Sequence, residues 1–180
     1  EKDIPRQESY AKDAATVDKA ISDYISTKRF ASEADMKRAT DEVYSRTCRN
    51  LRSAAFSGWD FSNRWFADDS TLITIETTDI IPVDLHCLMM NLEKMIQKAR
   101  MISGIKSTQK GMYKRANLQK YFWNKKMSFY TDYQFVKQEQ INKITLAGIY
   151  PLALTDKNTF LMRNATKMIP VLKTKLLKPG

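Results

Sequence analysis

The feature that most constrains the fold is an apolar stripe at helical spacing near the middle of the chain. Apolar side chains recur every three or four residues at Leu85, Leu88, Met89, Leu92, Met95, Ile96 and Ala99. This period stacks side chains on one side of an α-helix, whereas a strand alternates every second residue. Pro82 suits the first helical position and Gly104 suits the end. The sequence therefore predicts a long amphipathic helix between these two residues.

The same period predicts further helices and only short extended segments. Besides the helix just described, helices are expected over residues 10–26, 32–57, 107–123 and near 139–150, with a last one that begins at Thr155. Ser32 is expected to cap the second helix, Gly58 to end it, and Pro170 to kink the last one. Residues 59–81 and 128–135 lack helical period and should be loop or strand. The predicted fold class is all-α, built from packed helical hairpins.

The whole chain has a net formal charge of +10. Its basic residues are concentrated in the second half of the sequence. Residues 94–126 hold ten Lys or Arg side chains and no acid. Four aromatic residues, Tyr113, Tyr121, Phe122 and Trp123, lie among these charges, as they do on surfaces that stack single-stranded bases. A solvated helix face gives the same pattern. A basic helical module that binds nucleic acid or another polyanion is thus an alternative, although nucleic acid is not the partner we favour.

The sequence lacks the residue patterns typical of histidine catalysis, zinc binding and nucleotide binding. His86 is the single histidine, and no convincing partner lies near it in sequence, so catalysis by His86 is not expected. Cys48 and Cys87 lie in helical patterns and are expected to be buried free thiols. These three residues do not form a zinc-ligand spacing, and no glycine-rich phosphate loop occurs. Zinc is therefore not expected, and a bound nucleotide would lack its phosphate-binding loop. No apolar run approaches the roughly 20 residues of a membrane span, so no membrane anchor is visible in this segment.

Asp60 is the carboxylate with the most suggestive surroundings. It lies in SGWDFSNRW, residues 57–65, between two aromatic residues. Apolar walls raise the pKa of a carboxyl and can keep it protonated as a general acid near neutral pH. Arg64 follows four residues later, and an ion pair with it would lower that pKa. On these residues alone, both a catalytic acid and a structural anion remain open.

Six blocks along the chain resemble the trehalase family of glycoside hydrolases. In order they are PRQESYAKD (5–13), LRSAAFSGWDFSNRWF (51–66), TTDIIPVDLHCLMMNLEKM (77–95), YFWNKKMSFYTDY (121–133), IYPLAL (149–154) and KLLKPG (175–180). The second and third blocks are similar to the specific SGWDFS and PVDL motifs of the family. The resemblance extends over nearly the whole chain.

The resemblance implies a fold, an activity and a set of site residues. The fold would be an (α/α)6 toroid, and the activity would be hydrolysis of α,α-trehalose to glucose with inversion, without metal or organic cofactor. Asp60 falls on the general acid of the family. Arg6, Gln7 and Glu8 fall on a substrate-binding triplet, and Gly58 falls on a backbone contact to the sugar.

The chain departs from the family pattern at several positions. Gln7 stands where the family has Pro, Asn63 where it has Ser, and His86 where it has Asn, while Pro170 interrupts a helix that is continuous in the family. The PGGRF signature precedes the matched region, and the QWDxPxxW signature and the general base follow it. We therefore expect residues 1–180 to be one segment, the central part of a trehalase-like catalytic domain, that is inactive alone. A degenerate, non-catalytic homologue is a further alternative, and localisation is not indicated.

Overall fold

The computed structural model describes residues 11–59, 62–105, 111, 113–154 and 159–177. The chain divides into two compact units, Glu1–Asp79 and Ile80–Gly180, called unit 1 and unit 2 below. Helix is the main secondary structure in both, and the described strands are two residues long. The prediction of a mostly helical chain is thus confirmed.

Unit 1 is built on a helical hairpin. Helix α1, Ala11–Ser26, packs against helix α2, Glu33–Phe56. Three short 3-10 turns follow at Asn63–Trp65, Leu72–Thr74 and Thr77–Asp79. The predicted N-cap is confirmed, because the Ser32 Oγ accepts a hydrogen bond from the Asp35 N–H at 3.1 Å. Val17 and Ile21 of α1 are buried, as are Cys48, Leu51 and Ala54 of α2, so the hairpin encloses the apolar stripe of each helix.

Unit 2 combines helices with short β-hairpins. Its helices are α3 (Val83–Ile102), α4 (Arg115–Asn117, continued by a π-helical turn, Leu118–Phe122), α5 (Tyr150–Leu154) and α6 (Thr159–Val171, continued by a π-helical turn, Leu172–Leu176). A 3-10 turn, Leu146–Ile149, precedes α5. The strands are β1 (Ile80–Ile81), β2 (Trp123–Asn124), β3 (Phe129–Tyr130), β4 (Tyr133–Gln134) and β5 (Glu139–Gln140).

The strands form two antiparallel sheets. β2 pairs with β3, with Trp123 opposite Tyr130. The other sheet has the order β1-β4-β5, with Ile81 opposite Tyr133. Because β1 directly precedes α3, this sheet fixes the entry of α3 to a hairpin that lies about fifty residues later in the chain.

The core of unit 2 lies between β3, α6 and the 3-10 turn. Its largest fully buried apolar side chains include Leu118, Phe122, Phe129, Tyr130, Leu161 and Met168. The Tyr130 hydroxyl accepts a hydrogen bond from the Asn164 side-chain amide at 2.8 Å. Burial raises the pKa of Tyr130 to about 12, although the hydrogen bond with Asn164 acts in the opposite direction. Tyr130 is therefore a neutral hydrogen-bonding core residue.

Helix ends follow the sequence closely where a capping residue is present. Gly58 has φ +73° and lies two residues after α2, and Gly104 has φ +68° two residues after α3. Both occupy the left-handed conformation that ends a helix at low cost only in glycine. Pro82 is the residue before α3 rather than its first residue.

Cys48 and Cys87 are buried free thiols, as predicted, and burial raises the pKa of Cys87 to about 12.

One helix prediction in unit 2 is wrong and another is confirmed in part. Residues 139–145 hold β5 and irregular chain, and helical structure begins only with the 3-10 turn and α5. The helix expected over residues 107–123 is present from Arg115 to Phe122, as α4 and its π-helical turn, while residues 107–110 and 112 lie outside the described residues. At residues 139–145 long-range pairing replaces local propensity, since the Gln140 side chain donates to the Trp123 carbonyl at 2.9 Å.

The apolar stripe of α3 does not face the core of unit 2. Met95 is 61% exposed, and Leu85, Leu88, Leu92 and Ile96 are also exposed. The buried residues of α3 are Val83, Asp84, His86 and Cys87. Pro170 lies inside α6, which continues to Val171 and is followed by the π-helical turn; the predicted kink at Pro170 stays a prediction. The Thr155 start of this helix lies outside the described residues.

Candidate active site

The predicted site residues are described unequally by the structure. Asp60 lies outside the described residues, and so do Arg6, Gln7 and Glu8. Gly58 is described and exposed. The chain on either side of Asp60 is described up to Trp59 and from Ser62 onward. These flanking residues form the local scaffold of the candidate site.

The turn after α2 is closed by Ser57. Its hydroxyl donates to the Ala54 carbonyl at 2.6 Å and accepts from the Trp59 N–H at 3.0 Å. Gly58 lies between these bonds with positive φ, and a Cβ added there would meet no atom within 4 Å. The need for glycine is thus conformational, and the space beside its backbone is open.

Arg64 lies between two indole rings. Its guanidinium carbon is 5.0 Å from the ring centroid of Trp59 and 4.6 Å from that of Trp65. The Trp65 Nε1–H donates to the Trp59 carbonyl at 2.9 Å, a hydrogen bond between residues six positions apart. Arg64 is 1% exposed and Trp65 is fully buried. We call Trp59, Arg64 and Trp65 the indole–arginine clamp. It holds the residue before Asp60 in place.

A second loop supports the clamp from the C-terminal side. The Trp65 carbonyl accepts from the Glu76 N–H at 2.9 Å, and Phe66 bridges to Ile75. Within this loop, Asp68 accepts from the Ser70 and Thr71 N–H groups and from the Thr74 hydroxyl, at 2.8–3.1 Å. These hydrogen bonds, led by that from Thr71, lower the pKa of Asp68 well below its usual value. Asp68 is therefore a loop-stabilising anion.

Asn50 fastens the end of this region to α2. Its side-chain oxygen accepts from the Thr78 N–H at 2.7 Å and from the Thr78 hydroxyl at 3.1 Å. Its amide nitrogen donates to the Arg46 carbonyl at 3.0 Å. Asn50 is buried in α2. Residues 57–79 are thereby attached to α2 at both ends, which gives the candidate site a fixed base.

The aromatic residues of the basic stretch do not form a stacking surface. Phe122 is 2% exposed and Trp123 is 5% exposed. Tyr121 is half-buried and its ring packs against Tyr133, with centroids 5.1 Å apart. Stacking of bases needs exposed ring faces. The binding of polyanions by residues 94–126 stays a prediction that now rests on charge alone.

Metal-ligand clusters and membrane-spanning helices are both absent from the described residues. No cluster of three or more His, Cys, Asp or Glu residues suited to a metal ion is found in the described part of the chain. Among the described helices, none has the length and apolar character needed to cross a membrane.

Comparison with known proteins gives the family of the chain. The family model named Trehalase matches residues 1–177. The chain belongs to the trehalase family. The match includes the segment SGWDFSNRW and thus the region around the indole–arginine clamp. The resemblance noted in the sequence is confirmed at the level of family.

Several relatives in this family are periplasmic trehalases of Escherichia coli. The chain is 35% identical over 185 aligned positions to the periplasmic trehalases of E. coli strain SMS-3-5 and strain UMN026, and to that of strain ATCC 8739. Each alignment covers 100% of this chain and 29% of the relative. The chain thus spans less than one third of the length of these trehalases.

The clamp was only partly foreseeable from this trehalase-family sequence. The four-residue spacing predicts an ion pair of Arg64 with Asp60, but it does not indicate the cation–π contacts of Arg64 with both indoles. Nor did any local pattern point to Asn50, whose partner Thr78 is 28 residues away. Trp59 and Trp65 were visible as aromatic residues, but the hydrogen bond between them depends on the loop that separates them.

Replacing the guanidinium of the clamp should destabilise unit 1. Arg64→Met is expected to lower the free energy of unfolding by about 2 kcal/mol, because a desolvated cation–π contact is worth up to roughly that amount. Arg64→Lys keeps the charge but loses the planar group that stacks on the indoles, so it should also be less stable than the wild type. Urea unfolding followed by tryptophan fluorescence measures both. Equal stability of Arg64→Met and wild type would show that the clamp contributes nothing.

Proposed function

We propose that this chain supplies the general acid and part of the sugar-binding surface of an inverting α,α-trehalase. The trehalase-family match over residues 1–177 carries the proposal. The periplasmic trehalases of E. coli, 35% identical over the whole chain, support trehalose as the substrate. We further propose that residues 1–180 form the central part of one (α/α)6 catalytic domain.

Asp60 is proposed as the general acid. In an inverting glycosidase one carboxylic acid protonates the departing oxygen, while a carboxylate roughly 6.5–9.5 Å away activates water on the opposite face. The leaving group of trehalose is itself glucose, which departs poorly as an alkoxide, so proton donation is a large part of catalysis. The clamp supports this role because it fixes the carbonyl of Trp59, the residue bonded to Asp60.

Gly58 is proposed to contact the sugar through its backbone. Its exposure and the open space beside its Cα are consistent with close approach by a ligand. Arg6, Gln7 and Glu8 are proposed to bind sugar hydroxyls. A guanidinium donates to such hydroxyls, whereas a carboxylate accepts from them.

The proposed reaction needs a general base, which the resemblance assigns to a part of the family domain that this chain does not match. The isolated chain is therefore proposed to be inactive. Neither a metal nor an organic cofactor is part of the proposal. The test consequently uses a protein that carries this chain together with the rest of a trehalase domain.

The stereochemistry of the products tests the proposal. Inversion at one anomeric carbon should release α-glucose and β-glucose in equal initial amounts, whereas retention would release α-glucose alone. Proton NMR of the anomeric hydrogens, recorded before mutarotation, distinguishes these outcomes. Turnover should persist in EDTA, and raising the salt concentration about tenfold should leave KM nearly unchanged, because trehalose carries no charge. Absence of trehalose hydrolysis, or α-glucose as the sole first product, would refute the proposal.

A further inference from the structure

Two titratable side chains of α3 hold the same stretch of unit 2. The Glu93 carboxylate accepts a hydrogen bond from the Tyr113 N–H at 3.1 Å. His86, two helical turns earlier, makes a hydrogen bond with the Lys114 backbone. The His86 ring also contacts the ring of Tyr113, with centroids 5.4 Å apart, and that of Phe122 at 5.0 Å. His86 and Glu93 thus both bind the segment 113–122, which leads into β2.

The surroundings of His86 suit a neutral imidazole. His86 is 7% exposed, and its Nε2 has no hydrogen-bond partner among the described residues. A neutral ring can leave one nitrogen unpaired as an acceptor, whereas an imidazolium has two N–H donors to satisfy. The two rings that contact His86, those of Tyr113 and Phe122, make no hydrogen bond with its Nε2. Protonation would therefore bury an additional unpaired donor together with a charge.

The charges around His86 do not remove this penalty. Burial, the largest effect, lowers the pKa of His86 below its usual 6.5, while the hydrogen bond with the Lys114 backbone and the Glu93 charge raise it less. The charge of the buried Asp84 carboxylate raises the pKa of Cys87. The titratable groups carried by the surrounding elements are Asp84, Cys87, Glu93, Lys94, Lys98 and Arg100 on α3, Tyr113, Lys114, Arg115, Lys120 and Tyr121 on the facing segment, and Tyr150 on α5.

We propose that His86 is a pH-sensitive latch: its neutral form holds the segment 113–122 against α3, and its protonated form releases that segment. Glu93, which binds the same segment through Tyr113, keeps one attachment after His86 is protonated. Because Leu118 and Phe122 of this segment are buried core residues, release is a partial unfolding of unit 2 that exposes them, while the contact of β3 with α6 is kept. The proposal is independent of the proposed trehalase activity.

The sign of the pH dependence follows from the lowered pKa of folded His86. A histidine whose pKa is lower in the closed state stabilises that state fully above its open-state pKa, about 6.5. The stabilisation is lost as the pH falls from about 6.5 toward the pKa of the closed state. The latch is therefore closed at neutral pH and weakened in mild acid. For each unit by which the pKa of His86 in the closed state lies below that in the open state, the equilibrium constant for opening rises about tenfold in acid.

The single histidine makes the first measurement unambiguous. The Cε1–H proton of His86 is the sole histidine signal of this kind in the 180-residue chain. Its NMR titration in the intact chain should show a midpoint below about 6.5. Glu93→Gln should move that midpoint further down, because it removes a charge that raises the pKa. A wild-type midpoint at or above 6.5 would overturn the latch.

Hydrogen exchange tests the opening itself. Hydrogen exchange gives protection factors for the amides of residues 114–122, corrected for intrinsic exchange. Between about pH 7.5 and pH 5 these factors should fall about tenfold for each unit by which the pKa of His86 is lowered in the closed state. In His86→Asn, whose amide does not titrate, they should stay constant over the same range, while amides of α2 should behave alike in both proteins. Equal pH dependence at residues 114–122 in wild type and His86→Asn would overturn the proposal, even with a lowered midpoint.

Discussion

Asp60→Asn should reduce turnover of trehalose by about 10³-fold in a protein that carries this chain within a complete trehalase domain, because general acid catalysis contributes 10²–10⁴-fold. Asparagine has nearly the size of aspartate and can still hydrogen-bond to the glycosidic oxygen, but it has no proton to transfer. Trehalose binding should therefore change little. Steady-state kinetics measure kcat, and calorimetry measures the dissociation constant.

A substrate with a good leaving group separates acid catalysis from a structural role of Asp60. In α-glucosyl fluoride the leaving fluoride departs without protonation, so Asp60→Asn should keep most of its activity on this compound. Asp69→Asn is a matched control, because Asp69 is exposed, lies nine residues away and has a positive φ of 71° that asparagine tolerates. Loss of both activities to the same extent in Asp60→Asn would contradict the assignment of the acid.

Gly148→Ala should destabilise unit 2 by about 3 kcal/mol or more, the upper range for overpacking a core. Gly148 lies in the 3-10 turn before α5, where an added Cβ would overlap the Phe129 ring and the Tyr130 carbonyl oxygen. Phe129 and Tyr130 are buried and β3 is paired to β2, so neither can withdraw easily. The clash is with backbone as well as side chain, which leaves little room for relaxation.

Gly111→Ala is the matched control for Gly148→Ala. Its added Cβ would first meet the Glu93 Oε2 at 2.9 Å, the end of a side chain that can rotate away with loss of its hydrogen bond from the Tyr113 N–H. Its effect on stability should therefore be about 1 kcal/mol, well below that of Gly148→Ala. Urea unfolding, followed by circular dichroism and by the fluorescence of buried Trp123, measures both variants. Equal stabilities of the two alanine variants would show that the close approach at Gly148 is not a packing constraint.

Local signals explain which parts of the fold the sequence predicts well. α1, α2 and α3 each combine an apolar period with a start or stop residue such as Ser32, Gly58 or Gly104. The error occurs at residues 139–145, where a strand of two residues is held by side chains distant in sequence. Asn124 and Asn142, for example, are joined by a side-chain hydrogen bond at 3.0 Å. A strand that short has no detectable period.

The candidate site shows the same division between local and distant information. The motif around Asp60 is contiguous, so the proposed acid could be selected from sequence through the resemblance to trehalases. The sandwich of Arg64 between Trp59 and Trp65 depends on the path of the loop between them. The burial of His86 depends on Phe122, 36 residues later. Contacts of this kind carry no signature that a single sequence reveals.

The first turn of α3 depends on a residue that is synthesised much later. The Asp132 carboxylate accepts a hydrogen bond from the Val83 N–H at 2.9 Å, across 49 residues, and both residues are buried. A nascent chain that has reached only residue 131 has no acceptor for that N–H, and β1 has no partner strand. The start of α3 therefore cannot mature as the chain emerges from the ribosome, and a ribosome stalled before Asp132 would present an unfinished helix to chaperones and proteases.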